Sequence, residues 1–384
     1  MRAAIQNLEA SRIREVANAG IGRADVLAFW FGESDEATPD FIREAAIESL
    51  RQGETFYAHN LGLPELREAL GRYTCGLHGA DVGAGRIAVT SGGVSALMLA
   101  VQALVDAGDE VLVVTPVWPN LLAQPAIMGA QVRTVSLRPV AGAWTLPLDE
   151  LLAAITPATR LLVLNSPSNP TGWTLTQTEQ QAILEHCRGT GTWILADEVY
   201  ERLFYEPSAR GCAPSFLDLA GADDRVVVAH SFSKSFLMTG WRLGWLVMPP
   251  GLVEAVGKLI EFNTSCASVF SQRGALAALA RGDEVTPGVV DHLRACRDTL
   301  VPALQALPGV ELAPPPGGMY AFFRLPGFDD SLATAKRLVA EAGLGLAPGS
   351  AFGPEAEGWL RWCFASRDLG RLQQGVDRLA RWLR

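Results

Sequence analysis

Lysine is nearly missing from this chain. Its 384 residues include 29 arginines but only three lysines: Lys234, Lys258 and Lys336. A GC-rich genome, which encodes Arg in place of Lys, accounts for most of this skew, and it leaves each surviving lysine conspicuous. Lys258 in GLVEAVGKLIEF and Lys336 in SLATAKRLVAEAG fall on the polar faces of amphipathic helical patterns. Lys234 differs. It sits among hydroxyls in HSFSKSF, directly after the apolar run Val226–Ala229.

Other shortages exclude whole classes of function. With a net charge of −9 and no basic run, generic nucleic-acid binding is excluded, because phosphate contacts need clustered Lys and Arg. No stretch approaches the ~18 uncharged apolar residues of a membrane helix. The opening MRAAIQNLEASRIREVANAG mixes acid and base with no apolar centre, so no signal peptide is expected. The six cysteines (75, 187, 212, 266, 296, 363) form no CxxC and the five histidines no HExxH, so no metal site is expected. Scattered cysteines of this kind read as reduced thiols in a cytoplasmic protein. There is no GxxxxGK[ST], and the nearest G-x-G, Gly83–Gly85, precedes a strand pattern instead of following one. Neither a P-loop nor a dinucleotide fingerprint is present.

What is present is a chain that is 49% hydrophobic and long enough, at ~150 residues per domain, for two domains. From Arg86 onward strand and helix patterns alternate. The apolar runs RIAVTS, EVLVVTP (110–116), QVRTVSL (131–137), TRLLVLN, TWILADEVY, RVVVAHS and RLGWLVM are separated by helical patterns. Thr176 or Thr178 is a helix cap and Gly108 a helix stop. Near-continuous apolar strands between helices predict an α/β fold, with a mostly parallel sheet covered by helices on both faces. This large domain is placed at 40–270. The pattern then changes, to helices at 271–282, 288–306 and 331–343 with strand-like segments between them. These residues and 1–39, with a helix at about 5–18, are expected to form a smaller α+β domain.

In an open α/β sheet, functional groups gather outside the carboxyl ends of the strands. Gly92–Gly93, Trp118, Asn169, Asp197 and Ser231–Lys234 all follow strand ends. A Gly pair opening a helix suits an anion held on backbone N–H groups, although ordinary turns use it as often. NSPSNPTG (165–172) is a stiff turn that would place Asn169. Asp197, ending an apolar strand, needs a partner. A protonated ring nitrogen, a helix N-terminus or an arginine would each serve. Lys234, if buried, has a lowered pKa and can form a Schiff base, while Arg242 with the neighbouring serines suits a phosphate dianion.

The ordered set FYAHNLGLPELREAL, VTSGG, NSPSNPTG, ADEVY, SFSKSFLMTGWRLG and RWCFAS resembles the class I/II aminotransferases, pyridoxal 5′-phosphate (PLP) enzymes of fold type I. The resemblance runs from FGESDEATP (31–39) to RWCFAS (361–366). It implies that Lys234 holds PLP as a Schiff base and moves the substrate proton, and that Asp197 pairs with the pyridinium nitrogen. Tyr200 and Asn169 would bond the ring's 3′ oxygen, and Trp118 would stack on the ring. Gly92, Gly93 and the Val94 amide, with Ser231, Ser233 and Arg242, would hold the phosphate. Tyr57 would reach the phosphate of a neighbouring subunit in a homodimer. Arg361 would clamp the α-carboxylate, helped by Asn169 and the Gly32 backbone. Val94 stands where relatives often have a hydroxyl or Lys, and GESD replaces the commoner GEPD. No residue is identifiable as a side-chain carboxylate receptor, and Trp30 would suit an apolar or aromatic substrate or equally the core. The implied activity is ping-pong amino transfer from an L-amino acid to a 2-oxo acid. A C–S β-lyase on the same cofactor and a non-catalytic PLP-fold binding protein are the alternatives.

Overall fold

Strands that are buried along their whole length can only sit inside a sheet covered on both faces. Ile87–Thr90, Val226–Ser231 and Gly244–Val247 are buried at every residue, and Trp193–Asp197 at all but the first. The computed structural model describes residues 1–384, Ala3 in its backbone alone. It arranges seven strands in the order Ile87–Thr90, Gly244–Val247, Val226–Ser231, Trp193–Asp197, Thr159–Asn165, Glu110–Thr115, Gln131–Ser136. Only Gly244–Val247 runs antiparallel to its neighbours. The parallel strands therefore deliver their carboxyl ends, Thr90, Thr115, Asn165, Asp197 and Ser231, to one edge.

Local chemistry sets the helix ends. Thr176 caps the helix Gln177–Thr190 in a reciprocal box with Glu179. Helix Gly93–Leu104 stops ahead of Gly108, which takes φ 93° in the following turn. The N-terminal helix falls into two pieces, Ala3–Gln6 and Arg12–Gly20, because the Ser11 side chain caps a new start by accepting from the Arg14 N–H. The helix expected from residue 288 already begins at Gly282, where Asp283 and Glu284 face the positive end of its dipole. The segment expected as one helix over 331–343 is α-helical only over Ser331–Arg337. It widens into a π-turn at Leu338–Ala342 and is closed by Gly343 at φ 59°.

Beyond the main sheet, Tyr320–Arg324, Trp359–Cys363 and Ala347–Pro348 form an antiparallel three-stranded sheet. Strand Leu27–Ala28 pairs in parallel with Leu344–Gly345, which ties the N-terminal segment to this part. Helix Val269–Ala280 packs against Asp40–Arg51 and Pro64–His78.

Candidate active site

A cavity of about 660 Å³ opens at the carboxyl edge of the parallel strands. Of the residues singled out in the sequence, Gly93, Val94, Trp118, Asn169, Asp197 and Tyr200 line it, as do Ser231, Ser233, Lys234, Arg242, Gly32 and Arg361. Gly92 lies beside it as the residue before helix Gly93–Leu104. Tyr57 does not enter it, being 87% exposed on the outside of the chain. Trp30, which could face a substrate side chain or the core, is a core residue packed under Gly20 and Gly345; only its carbonyl approaches the site, accepting from Arg361 Nη2.

Lys234 follows the strand Val226–Ser231 and is partly buried, its Nζ donating to the Gly32 carbonyl at 2.5 Å. Burial, with the positive charges of Arg361 and Arg242, lowers its ammonium from the ordinary 10.5 to about 8. A free amine is thus within reach near neutral pH. Covalent capture of an aldehyde by the cofactor-free protein should accelerate as pH rises through about 8 and level off above, since only the unprotonated amine attacks. Stopped-flow absorbance would follow it, and a pH-independent rate would contradict this environment for Lys234.

Asp197 ends the strand Trp193–Asp197 and is 2% exposed. Its Oδ1 accepts from the Val199 N–H, and burial pushes its carboxyl up to about 7, against the pull of that N–H, of His230 and of Lys234. Beside it the Tyr200 hydroxyl shares a 2.6 Å hydrogen bond with Tyr320, and burial keeps the Tyr200 phenol neutral. Tyr320 was not singled out in the sequence. Its position in GGMYAFFRLP carries no local signal, and only the register of the second sheet brings it here. Gly32 makes room for it, since a Cβ there would run into the Tyr320 hydroxyl.

Two groups of donors lie along the walls. In the first, helix Gly93–Leu104 presents its free N–H groups, Gly92 takes φ 96°, and a Cβ on Gly92 would strike the Arg242 guanidinium. Arg242 itself holds a left-handed backbone, φ 52°, a conformation that costs a side-chain-bearing residue about 1–3 kcal/mol and that clusters at functional sites. It donates to Ser233 Oγ (3.5 Å), and the Ser233 N–H donates to Ser231 Oγ (3.1 Å). In the second, Arg361 is 2% exposed, donates to Asn169 Oδ1 at 2.7 Å and lies over the rings of Tyr320 and Phe352. Its Nε has no partner, and among the described residues no carboxylate pairs with it. Asn169 is positioned by its own N–H bond to Asn165 Oδ1, at 2.7 Å.

An amine, a buried acid, a dianion cradle and a buried guanidinium without a carboxylate partner around one cavity are compatible with an aldehyde cofactor that carries a ring cation and a phosphate. Comparison with known proteins decides the family. The family profile described as "Aminotransferase class I and II" matches residues 24–379. The chain belongs to the class I and II aminotransferases. A probable aspartate/prephenate aminotransferase from Aquifex aeolicus is 34% identical over 94% of this chain and 91% of its own length. A solved Thermus thermophilus aspartate aminotransferase (a single mutant) superposes with TM-score 0.91 at 31% identity, over 99% of both chains. A Pyrococcus horikoshii aromatic aminotransferase gives TM-score 0.87 at 30% identity, over 97% of this chain and 98% of its own. The protein is thus a PLP-dependent aminotransferase that moves an amino group from an amino acid to a 2-oxo acid, on the mixed α/β fold expected from the sequence. The residues present fit the cofactor: Asp197 lacks a cation, Arg242 and the helix start lack an anion, and Lys234 supplies the amine.

One further residue of this aminotransferase escaped the sequence reading. Arg14, on the exposed side of helix Arg12–Gly20, also lines the cavity, its guanidinium 4.8 Å from the centre of the Phe31 ring. In a chain with 29 arginines its identity carried no signal.

Proposed function

We propose that this aminotransferase accepts dicarboxylic substrates, with Arg361 holding the α-carboxylate and Arg14 receiving the side-chain carboxylate. The observation that carries this reading is a single cavity walled by three guanidiniums, of which Arg242 belongs to the phosphate cradle, while Arg361 and Arg14 remain for the substrate, neither paired with a carboxylate among the described residues. The Aquifex relative is named for aspartate and prephenate. The apolar wall of Ile13, Phe31 and Leu97 favours a second group of substrates with aromatic side chains, the class named for the Pyrococcus enzyme.

The reading is tested by mixing each amino acid with the holoenzyme and following the cofactor's absorbance through the first half-reaction. Aspartate or glutamate should react fastest; a response confined to neutral amino acids would overturn it. Arg14→Leu should lower kcat/KM for the dicarboxylates by about 10–100-fold, since hydrogen bonds to charged groups contribute roughly 1.5–3 kcal/mol. The value for phenylalanine should change less than about twofold, because an exposed residue with no ion pair contributes little elsewhere. An equal loss for both substrates would rule out a selective role for Arg14.

Within this reading Lys234 Nζ anchors the cofactor and then carries the proton taken from the substrate Cα. Bound PLP supplies the electron sink that makes that proton removable. Asp197 would pair with the ring nitrogen, Tyr200 and Asn169 would donate to the ring's 3′ oxygen, and Trp118 would stack on the ring. Gly92, Gly93, the Val94 amide, Ser231, Ser233 and Arg242 would hold the phosphate, and the Gly32 backbone would assist Arg361.

The exposed Phe56, Tyr57 and Phe262, at 83%, 87% and 88%, support a homodimer in which Tyr57 reaches the partner's site. Two domains, 40–270 and 1–39 with 271–384, remain the proposed division, with helix Val269–Ala280 packed on the first. No helix is long and apolar enough to cross a membrane, and all six cysteines are free thiols, which supports a cytoplasmic setting.

A further inference from the structure

Two phenols meet in the cavity wall, and only one of them has a task in the reaction as described. Tyr200 lies in the turn after the strand Trp193–Asp197 of the main sheet, and Tyr320 opens the strand Tyr320–Arg324 of the smaller one. Both line the cavity, at 4% and 0% exposure, and their hydroxyls share one hydrogen bond of 2.6 Å. Neither hydroxyl has another partner among the described residues. Each phenol carries one proton and can also accept. A pair joined by a single bond therefore uses one proton and leaves the other for the cavity.

Charge favours one direction for the shared bond. The Arg361 guanidinium lies over the Tyr320 ring, 4.5 Å from its centre. A permanent cation on a phenol ring draws electron density from the oxygen, which makes that O–H the better donor and the poorer acceptor. The cation over Tyr200, Lys234 Nζ, is farther, at 5.5 Å, and is the nitrogen assigned to the cofactor. Position agrees with charge. The Gly32 backbone closes on the Tyr320 hydroxyl, so near that a Cβ there would run into its oxygen, and this leaves Tyr200 as its partner. The same guanidinium donates to Asn169 Oδ1 at 2.7 Å. It stands behind both residues assigned to the ring's 3′ oxygen, Asn169 directly and Tyr200 through Tyr320.

We propose that Tyr320 is a positioning residue: its hydroxyl donates to the Tyr200 oxygen, which leaves the Tyr200 proton free for the cofactor's 3′ oxygen and strengthens that donation. The inference rests on Tyr200 donating to that oxygen, as proposed above. Burial keeps both phenols protonated, so neither donor is lost as pH rises through the neutral range. The charged and titratable groups facing the pair are few. Arg361 and Cys363 come from the strand Trp359–Cys363, Asp197 from the end of its own strand, and Lys234 from beyond Val226–Ser231. The consequence falls on the Schiff-base nitrogen of Lys234. A donor on the 3′ oxygen counts most when that nitrogen no longer shares a proton with the oxygen. Tyr200, backed by Tyr320, therefore favours the unprotonated nitrogen and lowers its pKa.

The test is the visible absorbance of the PLP-loaded enzyme against pH, which reads the proton on the Lys234 nitrogen without turnover. Tyr200→Phe should raise that pKa by about 1–2 units, the size of a hydrogen bond to a charged group. Tyr320→Phe removes one oxygen and keeps the ring under Arg361, so PLP should stay bound. It should raise the same pKa by about 0.2–0.6 unit, the share that cooperativity between linked hydrogen bonds supplies. In the double variant the loss of the Tyr320 hydroxyl should add nothing to Tyr200→Phe, because it acts only through Tyr200. A hydroxyl that merely filled space would leave the pKa unmoved, so an unchanged value in Tyr320→Phe beside a raised one in Tyr200→Phe would overturn the proposal. So would an equal shift from Tyr320→Phe in both backgrounds, which would mean that Tyr320 acts without Tyr200. An unchanged pKa in Tyr200→Phe would instead overturn the contact between Tyr200 and the 3′ oxygen on which the proposal rests.

Discussion

Lys234→Ala should lower amine transfer by roughly 10⁴-fold or more. In the proposed role one side chain carries two tasks, covalent attachment of the cofactor and movement of the Cα proton, and positioned proton transfer alone is worth about 10²–10⁴. Lys234→Arg should be as inactive, because an arginine keeps the charge but cannot deprotonate to attack an aldehyde. The fold should survive both changes, since the amine's one hydrogen bond is to the Gly32 carbonyl. The other two lysines are the controls. Lys258 pairs with the exposed Glu254 at 2.6 Å and Lys336 with Glu15 at 2.5 Å. Exposed pairs of this kind are worth about 0–1 kcal/mol, so Lys258→Ala and Lys336→Ala should leave the rate within about twofold. A Lys234→Ala enzyme that keeps a tenth of its activity would refute the assignment.

The second large effect is expected at Arg361. Substituting alanine should reduce kcat/KM by about 10²–10³ for every amino acid and every oxo acid, because breaking a buried hydrogen-bonded charge pair costs roughly 2–5 kcal/mol. Most of the loss should appear in KM, since the α-carboxylate is held before and during reaction alike. PLP should stay bound, because Lys234, Asp197 and Arg242, proposed to hold it, are left intact. Arg361 also packs on Tyr320 and Phe352, so the alanine leaves a void and lowers stability. Arg361→Lys separates the two effects: it keeps charge and bulk but loses the planar fork, and it should retain the fold while still losing most of the affinity. Unchanged substrate affinity with loss of the cofactor would contradict this role. The contrast with Arg14 is the informative one, because Arg361 should matter for all substrates and Arg14 for acidic ones only.

Much of this was legible in the residue order. Apolar strand runs between helix patterns specify a covered, mostly parallel sheet, and the chemistry-bearing residues come just past strand ends, where such a sheet places its crevice. Lys234 was readable because lysine is scarce, and Asp197 because a carboxylate ending an apolar strand must be answered. What could not be read lies in contacts between distant segments. Tyr320 meets Tyr200 across 120 positions, and Arg14 reaches the cavity only because the N-terminal helix breaks at Ser11 and packs beside Phe31. Trp30 shows the converse: an aromatic near the site whose ring is absorbed by the core, leaving only its carbonyl to Arg361.

The central claim is that one of three lysines forms the covalent link to PLP. Reducing the holoenzyme with borohydride fixes that link, and peptide mapping by mass spectrometry then locates it. The expected result is a single phosphopyridoxyl label on the peptide containing Lys234; a label on Lys258 or Lys336, or none on a protein that still transfers amines, would contradict it.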